Sequence, residues 1–146
     1  LIFLNMANEP DSKFSQDIRQ HLFFIENVIT RMNSNAFSMK GWMVALVAAL
    51  CAIYASNSDK SYDYIFFIIA IPVVIIFWCL DAYYLKMERQ YRDLYAKIAS
   101  QKIETDFSMD ATVFEQSFCK AMWSKSNWPI YSFVLVLLVL AIIFTV

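Results

Sequence analysis

The side chains with the most chemical potential are charged groups at the end of a long apolar run. Asp81 closes the run, and the basic residues Lys86, Arg89 and Arg92 follow it. Ionisable groups at a membrane margin are often functional, because a charge beside lipid is costly unless it pairs or contacts water. In one interpretation, Asp81 pairs with a basic residue and fixes its helix at the interface. The candidate partners are Arg31, Lys40 and Lys86.

A second interpretation applies if several copies of the chain assemble around a symmetry axis. Each charged residue is then repeated as a ring, and rings of Lys or Arg favour anions at a pore mouth. The pore or gate candidates are Arg31, Lys40, Asp81, Lys86, Arg89 and Arg92. This interpretation requires the oligomer to exist.

Few other residues point to chemistry. The sequence has one histidine, His21, and one glycine, Gly41, so it contains neither a glycine-rich phosphate loop nor an obvious partner to orient a catalytic imidazole. The three cysteines are widely spaced and odd in number, which argues against a disulfide or metal set. We therefore expect no catalytic residues, no metal and no cofactor, and not an enzyme. The net charge of -1 also predicts no direct contact with nucleic acid.

The composition predicts an all-α integral membrane protein. Hydrophobic residues make up 60% of the 146 residues, whereas soluble domains contain roughly 45–50%. Trp42 and Tyr54 lie near the ends of the first apolar run, at the headgroup level that such rings prefer. Pro72 predicts a kink in the second run, and Pro129 suits the first turn of the third. The predicted transmembrane helices are 41–56, 64–81 and 128–146.

Lysine and arginine counts predict the orientation. The short 57–63 loop carries only Lys60, whereas the segment 82–127 is rich in basic residues. The positive-inside rule therefore places 57–63 outside, and the segments 1–40 and 82–127 in the cytoplasm. The carboxyl terminus is then external. Residues 1–5 precede Met6 and do not resemble a secretory signal, so we expect the first span to direct insertion into a bacterial inner membrane.

The predicted cytoplasmic segments carry two apolar stripes with spacings of three and four, typical of helices that pack on each other. Glu88 and Arg92 are spaced to pair on an exposed face. Thr112 and Glu115 are spaced as a capping box for a short interfacial helix with Phe114 on its apolar face. The stripes are Ile18, Leu22, Ile25, Ile29 and Met32, and Tyr84, Met87, Tyr91, Leu94 and Ile98; Phe118 and Met122 complete the face of the short helix.

Two further features concern how the helices pack and move. Small residues recur along the first span and allow close approach of another helix, either within the protomer or from a second copy. The polar run 33–35 is interpreted as a simple turn before the membrane, or as a hinge through which partner binding reaches the spans. The small residues are Gly41, Ala45, Ala48, Ala49 and Ala52.

Two sequence blocks carry a resemblance. They run from Arg31 to Trp42, with Lys40-Gly41-Trp42, and from Phe77 to Tyr95, with Leu80-Asp81-Ala82-Tyr83-Tyr84. Over about residues 18–98, the chain resembles small bacterial membrane proteins of anti-phage defence, in particular the membrane effector of the Hailong system. The resemblance implies an oligomeric channel, passing anions, that a nucleotidyltransferase-like partner holds closed. Infection would open it, depolarising and arresting the cell.

Three classes of function therefore remain. The leading hypothesis is a gated, anion-selective homo-oligomeric channel, a tetramer for instance, that arrests its own cell. The alternative is a non-conducting accessory or scaffold subunit of a membrane complex. A holin-like lysis protein fits less well, because it has no need of long patterned cytoplasmic helices.

Overall fold

The structure, a computed structural model, describes residues 9–56, 64–100 and 106–145, with side chains from residue 15 onward. The described part contains four helices and no strand, which confirms the all-α fold class. The four helices are α1 (Glu9–Ser56), α2 (Tyr64–Ala99), α3 (Phe118–Met122) and α4 (Trp128–Thr145). The predicted external loop 57–63, Lys60 and residues 1–5 lie outside the described residues.

Three of these helices, α1, α2 and α4, are long and apolar enough to cross a membrane. The 18 residues of α4 span about 27 Å at 1.5 Å per residue, close to the thickness of a hydrocarbon core. The 48-residue α1 and the 36-residue α2 are much longer. Their excess length consists of the amphipathic segments, which continue beyond the apolar ones as a helical hairpin.

The run 33–35 is not a turn, because α1 continues through it without a break. Asn and Ser each cost a helix only a few tenths of a kcal/mol more than good helix formers. Packing offsets that cost, since Met32 and Ala36 on either side of the run are both buried. The predicted boundary between residues 40 and 41 is therefore a change of composition within a single helix.

Two clusters of buried side chains hold the helices together. The extension cluster, built around Ile25, Leu94, Ile98 and Ala111, joins the two predicted stripes and confirms their pairing. The bundle cluster joins the three apolar segments and comprises Met43, Phe67, Ala70, Val74, Trp78, Tyr131 and Leu138. The helix α2 contributes to both clusters and runs through Pro72 as one helix.

The segment before α3 differs from its predicted form. Residues 106–117 are not helical, so the predicted capping box at Thr112 and Glu115 is wrong. Asp110 instead accepts hydrogen bonds from the backbone N–H and the hydroxyl of Thr112, and such local bonds compete with helix formation. Ser117 is the actual N-cap, with its hydroxyl accepting from the backbone N–H of Lys120 at 3.4 Å.

Side-chain bonds hold this non-helical segment against α2. Gln116 Nε2 donates to Asp93 Oδ2 at 2.6 Å, and Gln90 Nε2 donates to the carbonyl oxygen of Phe114 at 3.0 Å. Phe114 therefore packs against the extension cluster from a loop, where the ammonium of Lys97 lies 4.5 Å from its ring centre. The prediction that Phe114 lies on the face of a short helix is wrong.

Candidate functional site

The candidate site lies where the apolar segments of α1, α2 and α4 meet the polar end of the bundle. Each of the three helices contributes one polar side chain: Lys40 from α1, Asp81 from α2 and Tyr131 from α4. Tyr131 reaches the site because α4 begins at Trp128, one turn earlier, and runs back along the apolar part of α2.

Asp81 is the centre of the site. Its Oδ2 atom lies 2.5 Å from Lys40 Nζ and accepts a hydrogen bond from the Tyr131 hydroxyl at 3.0 Å. Asp81 and Tyr131 are both fully buried, and the Lys40 side chain is 17% exposed. The interpretation that Asp81 pairs with a nearby basic residue is thus confirmed, with Lys40 as the partner.

Aromatic packing fixes the position of Tyr131. The Trp78 ring stacks on the Tyr131 ring at 5.7 Å between centroids and 8° between planes. The Trp78 indole N–H donates to the carbonyl oxygen of Met122 at 3.0 Å, and the Trp123 ring packs edge-on against Trp78. The segment that leads into α4 is therefore held directly against α2. These contacts leave the Tyr131 hydroxyl little freedom to leave Asp81.

A cavity of about 260 Å³ adjoins the ion pair. Asp81, Lys40, Glu88 and Asn127 contribute its polar lining, together with Asn33 and Ser126. Two buried polar atoms in this lining, Asp81 Oδ1 and Asn127 Nδ2, have no hydrogen-bond partner among the described residues. Buried polar groups in proteins are almost always satisfied by protein, water or ligand. Water or a ligand in the cavity would satisfy both atoms.

The other predicted gate residues lie apart from this site. Arg31 lines a cavity of about 690 Å³ beside His21, and Lys86 lines one of about 830 Å³ together with Lys120. Arg92 pairs with Glu88 at 2.6 Å. Within one protomer, the six predicted gate residues therefore do not form one cluster.

The pair between Glu88 and Arg92 is present, but one part of its prediction is wrong. Arg92 is exposed, whereas the Glu88 side chain is only 8% exposed. Glu88 lies on the inner face of α2, which places it in the lining of the 260 Å³ cavity. Arg89 is partly buried on the same helix.

The small residues of the first span do not pack within the protomer. All five are exposed, and a Cβ atom built on Gly41 would meet nothing within 4 Å. The face of α1 that packs on the bundle is instead the row of Met43, Val47, Leu50 and Tyr54. Among the described residues, the five small residues therefore make no close packing within the protomer, and contact with a second copy stays a prediction. The exposed row is Gly41, Ala45, Ala48, Ala49 and Ala52.

His21 is buried, and its Nε2 atom has no hydrogen-bond partner among the described residues. Its ring packs edge-on against Phe107 at 5.6 Å between centroids, and Phe107 adopts a positive φ of 59°. In the part of the chain with described side chains, no group of three or more His, Cys, Asp or Glu residues is placed to hold a metal.

Sequence reasoning did not single out Tyr131, Trp78 or Asn127. A signal for Tyr131 exists, since it carries a hydroxyl group in the first turn of a helix that is almost entirely apolar. Asn127 sits in a short polar run, where its sequence neighbours Ser126 and Lys125 are exposed and nothing marks it as buried.

Comparison of the chain with protein families, curated proteins and solved structures finds no match. Functional inference therefore rests on the site itself.

Proposed function

We propose that the protein is a gated ion channel formed by several copies of the chain, and that Lys40, Asp81 and Tyr131 form the latch that favours its closed state. The observation that carries this proposal is the fully buried Asp81 carboxylate, which links all three membrane helices through one oxygen atom. Because a buried charge without a partner is costly, partly broken forms of this contact are unfavourable. The helices are either latched or separated.

The energetics of a buried ion pair suit a latch. Removing one partner from a buried pair typically costs about 3–5 kcal/mol, because the other charge remains without compensation. Water entering the adjoining cavity can replace these contacts, since the cavity already borders both Asp81 and Lys40. A modest force on the cytoplasmic hairpin would then shift the balance between latched and hydrated states.

The conducting path requires an oligomer, and we take it to be a homo-oligomer such as a tetramer. Three helices packed on one cluster leave no room for an ion path inside one protomer. The exposed small residues of α1 support close contact with a neighbouring copy in the bilayer.

We further propose that the channel prefers anions. Lys86 and Lys120 line the same surface cavity next to the membrane segments, and Arg92 is exposed one helical turn beyond the inner Glu88. Symmetry would repeat these cations as rings at the cytoplasmic mouth.

The resemblance to anti-phage effectors supports a specific role for such a channel. In that role it resides in the bacterial inner membrane with its amino terminus in the cytoplasm, and opening depolarises and arrests the infected cell. A nucleotidyltransferase-like regulator would dock on the cytoplasmic hairpin and hold the channel shut. The bilayer and the regulator are then its partners, together with the other copies of the chain.

Current across a planar bilayer with a chloride gradient tests the proposal. We expect discrete chloride-selective openings, and Lys40→Met should raise the open probability about tenfold or more, which corresponds to about 1.4 kcal/mol. The matched control is Arg19→Met, which removes an exposed basic side chain far from the latch on the same helix as Lys40 and should leave the open probability within about twofold.

Charge reversal tests the selectivity. We expect each of three variants to shift the reversal potential towards the equilibrium potential of the cation: Lys86→Glu, Arg89→Glu and Arg92→Glu. Unchanged reversal potentials in all three variants would remove these residues from the ion path. If inserted oligomers of both the parent chain and Lys40→Met stay silent, the chain is instead an accessory subunit.

A further inference from the structure

The 260 Å³ cavity beside the latch presents a donor and an acceptor that lack partners. Asp81 Oδ1 is a carboxylate oxygen and can only accept, whereas Asn127 Nδ2 is an amide nitrogen and donates. Asp81 is 0% exposed and Asn127 is 1% exposed. A ligand that satisfies both must carry a hydrogen-bond donor and an acceptor a short distance apart.

The charges around the cavity favour a ligand that is neutral overall. The lining contains one cation, Lys40, and two carboxylates, Asp81 and Glu88. Arg92 neutralises Glu88 from outside at 2.6 Å, so the site as a whole carries no net charge. A simple anion would face two carboxylates, and a simple cation would face the Lys40 ammonium. A zwitterion can place each of its charges beside the opposite one.

The remaining lining is apolar and faces the surroundings of the bundle. Phe37 is 78% exposed on α1 and Ile130 is 41% exposed on α4, and both border the cavity. The cavity lies at the end of the membrane segments, level with the start of α4 at Trp128. Headgroups and the first methylene groups of lipid chains meet at this depth.

We propose that this cavity binds the headgroup of a phospholipid that carries a primary ammonium and a phosphate, the chemistry of phosphatidylethanolamine. The ammonium donates to Asp81 Oδ1, and the phosphate accepts from Asn127 Nδ2 and lies near Lys40. Phe37 and Ile130 contact the beginning of the acyl chains. The proposal requires only that the three helices span a bilayer, and it is independent of conductance.

Lipid binding to the purified full chain in detergent tests the proposal, with native mass spectrometry and thermal unfolding as readouts. We expect phosphatidylethanolamine to bind about tenfold more tightly than phosphatidylcholine, whose trimethylated nitrogen has no N–H to donate to Asp81. Phosphatidylglycerol, which is anionic, should also bind more weakly. Soluble glycerophosphoethanolamine should bind weakly too, because it lacks the chains that contact Phe37 and Ile130.

Two variants locate the binding to this cavity. Asn127→Ala removes the donor to the phosphate, which both lipids carry, so it should weaken binding of phosphatidylethanolamine and phosphatidylcholine alike and leave the preference between them in place. Phe37→Ala changes an exposed side chain, so the variant should fold normally. It should weaken binding of phosphatidylethanolamine about threefold or more. The matched controls, Asn27→Ala and Phe23→Ala, alter the same residue types on α1 away from the cavity and should leave binding unchanged.

The outcomes distinguish a lipid site from a cavity filled by water. Equal affinities for the ethanolamine and choline lipids would overturn the proposal, as would an affinity for phosphatidylethanolamine that stays unchanged in both Asn127→Ala and Phe37→Ala. Neither result depends on whether current is observed, so this inference and the proposed channel can fail separately.

Discussion

The amphipathic hairpin and the bundle of apolar segments share the helices α1 and α2 but are held together by different interactions. In the hairpin, apolar side chains such as Ile25 and Leu94 are buried, while most exposed positions are polar and Phe23 and Phe24 are exceptions. In the bundle, apolar side chains lie both inside and outside, and a polar cluster at Asp81 joins the three helices.

This difference reflects the two solvents. In water, burying apolar surface stabilises a contact by about 25 cal/mol per Å². In lipid, an outer Leu gains little by moving inside, so close packing and buried polar contacts determine which helix faces meet. Only 11% of the α4 span is buried, and α4 is attached to α2 by the Tyr131 hydrogen bond together with the apolar contacts of the bundle cluster.

The largest effect is expected when the polar contact of the bundle is broken from its centre. Asp81→Ala leaves the largely buried Lys40 ammonium without its partner and should destabilise the folded protein by about 3–5 kcal/mol. Thermal unfolding in detergent measures the loss. The double variant Asp81→Ala with Lys40→Met removes both charges and should recover most of the stability. If the double variant is as unstable as Asp81→Ala alone, an unpaired Lys40 charge is not the cause of the lost stability.

A comparable but local loss is expected in the hairpin. Ile25 is fully buried in the extension cluster, so Ile25→Ala should cost about 2–5 kcal/mol. Hydrogen exchange should report faster opening of the hairpin and leave protection in α4 unchanged. The control is Phe23→Ala, an exposed position on the same helix, with an expected effect within about 0.5 kcal/mol. Equal loss of protection in both regions would mean that they unfold as one unit.

A smaller effect is expected when only the hydroxyl that joins α4 to Asp81 is removed. Tyr131→Phe keeps the ring stacked on Trp78 and loses one hydrogen bond to a carboxylate, which corresponds to about 1.5–3 kcal/mol. Thermal unfolding again measures it. Tyr83→Phe, at a half-exposed position, is the matched control. If the two variants unfold at the same temperature, the hydroxyl does not attach α4.

The smallest effect concerns the loop that leads from the hairpin towards the bundle. The hydroxyl and N–H of Thr112 hold the pKa of Asp110 below its ordinary value of 3.8. A lowered folded-state pKa stabilises the loop above the unfolded pKa, and this contribution is lost as pH falls through the folded value. The Thr112 amide resonance should therefore titrate below pH 3.8. Thr112→Ala should move that titration up towards the ordinary value, and a midpoint that does not move would assign the shift to another group.

The sequence predicts the apolar framework well, because the spacing of Ile25, Leu94 and Ile98 follows directly from helix geometry. It also indicates Asp81 as the key charge, but not which cation pairs with it. Which cation pairs with Asp81 depends on how far α1 continues as a helix. The polar run 33–35 does not indicate, from sequence alone, that packing of Met32 and Ala36 keeps this segment helical.

The site residues that sequence reasoning missed depend on contacts between distant segments. Tyr131 is 50 residues from Asp81 in sequence, and Asn127 is buried only because the loop before α4 is tied to α2 through Trp78 and Met122. The error at residues 106–117 has the same origin. Gln90 and Asp93 on α2 bind that segment in a non-helical form, and a local capping pattern does not report on such partners.

Because α1 is one unbroken helix, a rigid tilt would couple the position of its amino-terminal end to that of Lys40. Residues 9–40 extend about 48 Å from the latch at 1.5 Å per residue. A tilt of one degree about Lys40 therefore moves the far end by about 0.8 Å, and a push of a few ångströms at that end rotates the helix by only a few degrees. In a rigid tilt about a point near Lys40, a large displacement at the tip therefore corresponds to a much smaller one at the contact with Asp81.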